Sequence, residues 1–334
     1  MLSGFLSSAQ QTPPAAPSKH VLVGPHTELV LIEASVLDHR GEYVAGLTKE
    51  SFRALDNGVE QPITFFAPVE APAQVLVMLE TSPAVYLIRD QHLTAAFALV
   101  EGLAADDQVA LVTYDVTPKT VLSFTADKPA LLDALNRTQY NLGMGDLNLY
   151  DSVSAVLDGL APAAGKKELV LLTTGLDSSP PGHWEALAKK LRGEDVVIFS
   201  VALGGSLRGA PGKKSKRKKT VQPPQDSEAA DEAAAKSNSE AAFAKADVGL
   251  RSLAEITGGR AYFPQSDREF AMIYREIASA LRHQYVLGIV PAHDNQFHKL
   301  TVEVDSSGNQ AGPARARGAA YRIFARAGYL APGP

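Results

Sequence analysis

Continuous apolar runs dominate the middle of the chain. They cover residues 75–79, 109–113, 169–172 and 196–201. Such runs are typical of strands that are buried on both faces of a sheet. Between the runs, apolar residues recur at helical spacing. One stripe is Leu93, Phe97, Val100 and Leu103, and another is Val153, Val156, Leu157 and Leu160. The alternation predicts an α/β fold with a doubly wound, mostly parallel, Rossmann-like sheet, whose ligand site would lie at the carboxyl ends of the strands.

Shorter segments with alternating polarity flank this region. A strand is predicted over residues 29–37, and Asn57-Gly58 is a strong hairpin signal because both residues tolerate positive φ. After the last helical period, residues 284–290, 299–304 and 320–325 alternate like antiparallel strands. The N-terminal and C-terminal strands are therefore expected to pack together as a small β-sandwich-like unit.

The same patterns divide the chain into segments. We predict a signal-like or flexible tail at 1–20, an N-terminal β unit at 21–70, the α/β domain at 71–283, and a C-terminal β segment at 284–334. A low-complexity insertion interrupts the α/β domain at 204–247, where a basic run at 213–219 precedes an alanine-rich acidic tract. We interpret the insertion as a mobile excursion on the surface, although its alanine-rich half could form a marginal helix, and a new helix is predicted to begin near Leu250.

Composition narrows the function classes. Hydrophobic residues make up 45% of the chain and the net charge is −5, which is ordinary globular composition. We expect no nucleic-acid partner. No apolar run reaches the ~18 residues of a membrane span, so no transmembrane segment is predicted. Cysteine is absent, which excludes disulfides and thiolate chemistry. Small residues at Ser7 and Ala9 before Gln10 resemble the end of a signal peptide, although the basic start of one is missing.

Three polar segments lie where strands of the predicted sheet end. Residues 80–84 read Glu-Thr-Ser-Pro-Ala after the first apolar run, Leu147 precedes a predicted helix, and Thr174 follows the run 169–172. In order and spacing they resemble the metal-site loops of a von Willebrand factor type A (VWA) domain. That family binds Mg²⁺ through Asp-x-Ser-x-Ser, a threonine and an aspartate.

The flanks resemble a bacterial group of VWFA-related proteins. Residues 46–52 read Gly-Leu-Thr-Lys-Glu-Ser-Phe, residues 257–261 read Thr-Gly-Gly-Arg-Ala, 285–288 read Tyr-Val-Leu-Gly, and 326–332 read Arg-Ala-Gly-Tyr-Leu-Ala-Pro. The resemblance implies an exported protein, in the periplasm, in the medium or on the cell surface, with a VWA domain that binds other proteins.

The metal-site pattern is incomplete at the residue level. Ser82 matches it, and Glu80 is a longer version of its first acid. Ala84, Leu147 and Thr174 replace a serine, a threonine and an aspartate of the pattern. We therefore predict a degenerate, metal-free site in which Glu80, Ser82 and Thr174 hydrogen-bond the loop backbone, and no cofactor.

Two alternatives stay open. A divalent cation such as Mg²⁺ could be held by altered ligands, namely Glu80 and Ser82 with Asp146 or Asp177. A hydrolase on a doubly wound sheet is the remote alternative, but no nucleophile motif supports it. The favoured prediction is a non-enzymatic protein–protein interaction module. Its partner-binding crevice would comprise Thr81, Pro83, Leu147, Asn148 and Trp184. His293 and His298 are assigned to an exposed turn.

Overall fold

A computed structural model describes residues 28–68, 72–86, 88–143, 145–160, 166–180, 182–205, 227–305 and 321–333. The predicted tail at 1–20 and the basic run at 213–219 lie outside the described residues. In the described part, no helix is long and apolar enough to cross a membrane.

The strands and helices are as follows. The central strands are β5 (Ala73–Glu80), β6 (Gln108–Tyr114), β7 (Pro118–Thr125), β8 (Lys166–Thr173), β9 (Val197–Ala202) and β10 (Ala261–Tyr262). The flanking strands are β1 (Val30–Leu37), β2 (Phe52–Asp56), β3 (Val59–Gln61), β4 (Phe65–Pro68), β11 (Gln284–Ile289), β12 (Phe297–Val304), β13 (Arg322–Ala325) and β14 (Gly328–Leu330). The helices are α1 (Pro83–Tyr86), α2 (Arg89–Gly102), α3 (Lys128–Asn136), α4 (Leu149–Leu160), α5 (His183–Gly193), α6 (Ser227–Thr257) and α7 (Asp267–Ala280).

The central sheet has the strand order β10-β9-β8-β5-β6-β7. Its pairings are parallel except between β6 and β7. After β5, the chain adds β6 and β7 on one side of that strand, and then β8, β9 and β10 on the other side. The predicted doubly wound sheet is therefore confirmed, and its direction changes between β5 and β8. The pattern analysis did not predict β7, an edge strand whose mixed exposure hides the period of a half-buried strand.

Helices cover both faces of this sheet. On one face α2, α3 and α7 pack over Val77, Leu79, Leu111 and other strand residues. On the other face α4, α5 and α6 pack over Met78, Leu171 and their neighbours. Strands buried on both sides account for the continuous apolar runs of the sequence.

Helix α6 corrects the prediction for the insertion. We expected a surface excursion up to residue 247, with at most a marginal helix in its alanine-rich half, and a separate helix beginning near Leu250. Instead, one helix runs from Ser227 to Thr257 and includes the alanine-rich tract. Phe243 and Ala246 are buried, so the second half of the tract is anchored to the domain. The few apolar residues there suffice because the helix continues into a segment that packs on β9.

The flanking strands form two antiparallel sheets, ordered β13-β1-β11-β4 and β14-β12-β2-β3. Their facing sides share one apolar core, in which the rings of Phe52 and Tyr285 lie 5.0 Å apart. This confirms the predicted sandwich-like unit of N-terminal and C-terminal strands. Asn57 and Gly58 have φ values of 48° and 81°, as the β2–β3 turn requires.

His298 departs from its predicted exposed turn. It lies in β12 and is buried, with Nδ1 2.6 Å from Oδ1 of Asp56 and Nε2 3.1 Å from Oδ2 of Asp294. Tyr329 of the C-terminal β14 donates its hydroxyl to Oδ2 of Asp56 at 2.8 Å. Burial lowers the pKa of His298, but its hydrogen bonds to Asp294 and Asp56 outweigh burial and leave the pKa raised. Asp56 of β2 thus joins His298 of β12 to Tyr329 of the last strand.

Candidate functional site

The candidate site lies at the carboxyl edge of the central sheet, where its winding changes direction. Glu80 is the last residue of β5, Tyr114 is the last of β6, and Thr173 is the last of β8. Glu80 is in register with Tyr114 across the β5–β6 pair. Three neighbouring strands therefore deliver polar side chains to the point where ligands of doubly wound sheets bind.

The carboxylate of Glu80 accepts hydrogen bonds on both oxygens. Oε2 accepts the backbone N–H of Thr174 at 2.7 Å, the Thr174 hydroxyl at 2.8 Å and the Thr173 hydroxyl at 2.9 Å. Oε1 lies 2.6 Å from the Ser82 hydroxyl and 3.0 Å from the Thr174 hydroxyl. Glu80 is fully buried, at 0% exposure. Uncharged donors thus surround a buried carboxylate, which meets the need of such a group for hydrogen bonds.

Tyr114 completes this cluster. Its hydroxyl lies 2.6 Å from Oγ1 of Thr173 and 3.3 Å from Oε2 of Glu80. Burial, reinforced by the negative charge of Glu80, raises the pKa of the Tyr114 hydroxyl well above its usual value. The phenol therefore keeps its proton. The proton of this phenol can be donated to Thr173 or to Glu80.

The first loop of the site, residues 81–84, follows β5, and its residues differ in exposure. Thr81 is buried, and both its amide and its hydroxyl donate to the carbonyl of Tyr114, at 2.9 and 3.1 Å. Ser82 is also buried beside Glu80. Pro83 begins α1 and is exposed. Within this loop, Pro83 is thus the predicted crevice residue that reaches the surface.

The second loop, residues 145–148 before α4, lies against the third loop, residues 174–180 after β8. The amide of Ser178 donates to the carbonyl of Leu147 at 2.6 Å, and the amide of Asn148 donates to the carbonyl of Asp115 at 3.0 Å. Leu147 and Asn148 are half-buried, whereas Asp146 is exposed.

Asp177 stabilises the start of α4 and its own loop. Its Oδ1 accepts the backbone N–H of Tyr150 at 3.2 Å and the Ser179 hydroxyl at 2.9 Å, and its Oδ2 accepts the Ser179 amide at 3.1 Å. A carboxylate at a helix N-terminus also complements the helix dipole. The structure therefore brings Glu80, Ser82 and Thr174 into direct contact, whereas the hydrogen bonds of Asp177 go to Tyr150 and Ser179, and Asp146 is exposed. In the described ranges, no group of three or more His, Cys, Asp or Glu side chains is placed to hold a metal ion.

Trp184 lies on the far side of the third loop, in the first turn of α5. It is half-buried, and its ring lies 5.3 Å from that of Tyr150 at a tilt of 55°. Next to the pair, Nδ1 of His183 lies 2.6 Å from Oδ1 of Asp151. Of the five residues assigned to the partner-binding crevice, Trp184 lines a groove with Tyr150, Gly175 and Asp177, whereas Thr81 lines a different cavity, with Tyr114.

The sequence interpretation missed Tyr114 and Thr173. Each is the last residue of a strand adjacent to β5, and this was the available signal. Polar residues that end neighbouring parallel strands meet at one edge, so both could have been assigned to the Glu80 cluster once the strand order was known.

Comparisons with known proteins identify the domain type. A family model described as the von Willebrand factor type A domain matches residues 88–256, about half of the chain. No curated protein matches the sequence.

Solved structures similar to this chain include several bacterial proteins. An aerotolerance-related membrane protein from Bacteroides fragilis is 14% identical, with 61% of this chain and 98% of that chain covered and a TM-score of 0.42. The conserved hypothetical protein BatB from Bacteroides thetaiotaomicron is 14% identical, with 63% and 98% covered and a TM-score of 0.41. The vWF domain of the pilus tip protein Mfa5 from Porphyromonas gingivalis is 10% identical, with 64% and 96% covered and a TM-score of 0.45.

Proposed function

The chain belongs to the von Willebrand factor type A domain family, whose members are generally non-enzymatic interaction modules, and from this premise we propose that it binds a protein partner without a bridging divalent cation. The hydrogen bonds of Glu80 carry the proposal. Both carboxylate oxygens accept hydrogen bonds from the serine and threonine residues around them. Those donors satisfy the charge that a metal ion would otherwise neutralise.

The chemistry of the donors supports this proposal. Mg²⁺ requires oxygen ligands in near-octahedral geometry at ~2.1 Å. A backbone N–H cannot ligate a cation, and the Thr174 amide points at Oε2 of Glu80. Two hydroxyl groups also bond this oxygen, so for Glu80 to bind a metal ion through it, at least one of the three donors would have to release it. Leu147 and Ala84 offer no side-chain oxygen. We infer that these residues do not fit a resident magnesium ion.

Partner recognition then rests on the exposed parts of the same edge. Pro83 and Asp146 are exposed, and Leu147, Asn148 and Trp184 are half-buried. Loops on a rigid sheet edge are the usual place for binding residues. The Glu80 cluster would hold the first and third loops in one conformation, a task that the metal ion performs in a complete site.

Calorimetric titration tests the proposal. Mg²⁺ and Mn²⁺ are titrated separately into EDTA-treated protein, and thermal unfolding is recorded with and without each ion. We expect no saturable heat and no change in the unfolding temperature. A matched control restores the family pattern by Glu80→Asp, Ala84→Ser, Leu147→Thr and Thr174→Asp. If this variant folds, it should gain cation binding, which shows that the assay can detect such a site.

Saturable binding to the unmodified protein, abolished by Glu80→Gln, would overturn the proposal. Asp146→Asn and Asp177→Asn would then identify which of the two carboxylates had joined Glu80 and Ser82. That outcome would establish the cation-dependent alternative.

We also propose that the protein acts outside the cytoplasm, as the resemblance of its flanks to exported VWFA-related proteins implies. Fractionation of bacterial cells that express the natural gene from its own start checks this. Recovery of the protein in the cytoplasmic fraction alone would contradict it.

A further inference from the structure

A groove beside the Glu80 cluster has the features of a recognition site. One wall is the third loop and the start of α5, and the other wall is the stretch of α6 from residue 242 to 252. The groove has a volume of about 540 Å³, which lies within the range of ligand-binding pockets. It can therefore accept a few residues of an extended polypeptide.

Small residues let α6 form this wall. A Cβ atom at Gly249 would lie 2.8 Å from the Tyr150 hydroxyl. At Gly175, where φ is +75°, a Cβ atom would lie 2.9 Å from Cδ1 of Leu250 and 3.1 Å from Cβ of Ala246. Glycine at both positions thus permits α6 to lie close to the third loop and to the phenol of Tyr150.

The floor of the groove is aromatic and partly exposed. Tyr150 and Trp184 form their tilted pair there, and neither ring is fully covered. On the α6 wall, Val248 is 62% exposed. The groove thus offers two aromatic faces and an unpartnered aliphatic side chain to an incoming ligand.

The charge of the groove is negative next to the aromatic pair. Asp177 and Glu185 line the same wall as Trp184, and Lys245 lies on the opposite wall. Burial first, and then the negative charges of Asp177 and Glu185, raise the pKa of the Tyr150 hydroxyl, so both carboxylates act on this ring. Aromatic faces beside carboxylates favour a cationic group, through cation–π attraction and ion pairing.

We propose that this groove binds a segment of a partner protein that presents a lysine or arginine side chain flanked by apolar residues. The cation would lie against the Tyr150–Trp184 pair within reach of Asp177 and Glu185, and an apolar neighbour would contact Val248. This inference rests on the proposed function and adds the chemistry of the partner.

The only tryptophan of the chain is Trp184, so tryptophan fluorescence reports directly on the groove. Capped peptides Ala-Leu-X-Leu-Ala, with X as arginine, lysine, citrulline or glutamate, are titrated into the full chain in EDTA. Citrulline is the uncharged counterpart of arginine. We expect the arginine and lysine peptides to change the emission with saturation, and the citrulline peptide to bind roughly tenfold more weakly.

Charge variants sharpen the test. Glu185→Gln should weaken binding of the arginine peptide roughly two- to fivefold, and Lys245→Gln should strengthen it by a similar factor. Both side chains are exposed, so these changes leave the hydrogen bonds of Asp177 intact. Equal binding of the arginine, citrulline and glutamate peptides would overturn the proposal, and so would emission that no peptide changes either in EDTA or after Mg²⁺ is added.

The two proposals fail differently. Peptide binding that appears only after Mg²⁺ is added would contradict the cation-independent function but support the groove. Absence of cation binding together with unchanged tryptophan emission would contradict the groove and leave the proposed function standing.

Discussion

Replacement of Glu80 by alanine is expected to lower the free energy of unfolding by about 2–4 kcal/mol. The Thr174 amide, 2.7 Å from Oε2 of Glu80, would lose its acceptor in a buried site, at a cost of about 1–3 kcal/mol. The one lost methylene group adds about 0.8 kcal/mol. The hydroxyl groups of Tyr114 and Thr173 lose less stabilisation, because they still bond to each other at 2.6 Å.

Replacement by glutamine separates the charge from the hydrogen bonds. The amide oxygen of glutamine can take the place of Oε2 and keep the Thr174 and Thr173 donors. Its NH₂ group would then donate to the hydroxyl oxygens of Ser82 and Thr174, which can rotate to accept. The hydrogen bonds are then weaker, because their acceptor is no longer charged. Part of this loss is offset, since the folded protein no longer buries a charge. We therefore expect Glu80→Gln to cost less than about 1.5 kcal/mol.

Urea unfolding in EDTA, followed by circular dichroism and by Trp184 fluorescence, measures both variants. The midpoint reports the stability change, provided that the slope is unchanged. If glutamine destabilises the protein as much as alanine does, the charge itself is required and the hydrogen-bond explanation is wrong. A loss below about 1 kcal/mol for alanine would equally refute it, since it would mean that water replaces the carboxylate.

Two further predictions concern the flanking unit and the helix packing. The raised pKa of His298 means that its protonated form contributes stability in full below about pH 6.5, and that this contribution is lost as the pH rises through the raised folded-state value. The unfolding temperature of the unmodified protein should therefore exceed that of His298→Gln by more at pH 6 than at pH 9, because only the protonated imidazole forms the ion pair with Asp56. An equal difference at the two pH values, or a larger one at pH 9, would contradict this role of His298. Gly102→Ala would place a Cβ atom 2.2 Å from Cβ of Ala278, so α2 and α7 must separate at a cost of about 1–3 kcal/mol. Gly159→Ala, with nothing within 4 Å, is the control and should be neutral or slightly stabilising by thermal unfolding; equal losses in the two variants would argue against the close helix crossing.

Local sequence patterns predicted where helices and strands lie better than they predicted which face of a helix is buried. The helical stripe read from the sequence places Phe97 and Val100 toward the core of α2. In the structure Phe97 is 54% exposed, whereas Ala96 and Leu99 are buried. Helix α2 is rich in alanine and apolar on several sides, so its spacing alone allows more than one buried face. Its packing against α3 and α7 selects the face.

The candidate site was predictable in part. Glu80, Ser82 and Thr174 were assigned to one site because each follows or ends a predicted strand, and the structure brings these three into hydrogen-bond contact. Asp146 and Asp177 were proposed from nearness in sequence alone, which does not specify where a loop directs its side chains.

The sequence by itself determined the buried parallel strands, the flanking antiparallel strands, and the loops that carry the polar residues, because these follow from periodicity and turn residues within short segments. Only the tertiary structure decided how Glu80 is satisfied, since Thr173 and Thr174 lie 93 and 94 residues away and reach it through the β5–β8 pairing. The same holds for the groove, which exists because α6 continues through the alanine-rich tract and crosses Gly175. Contacts between distant segments depend on strand register and helix direction, and neither is encoded in a local pattern.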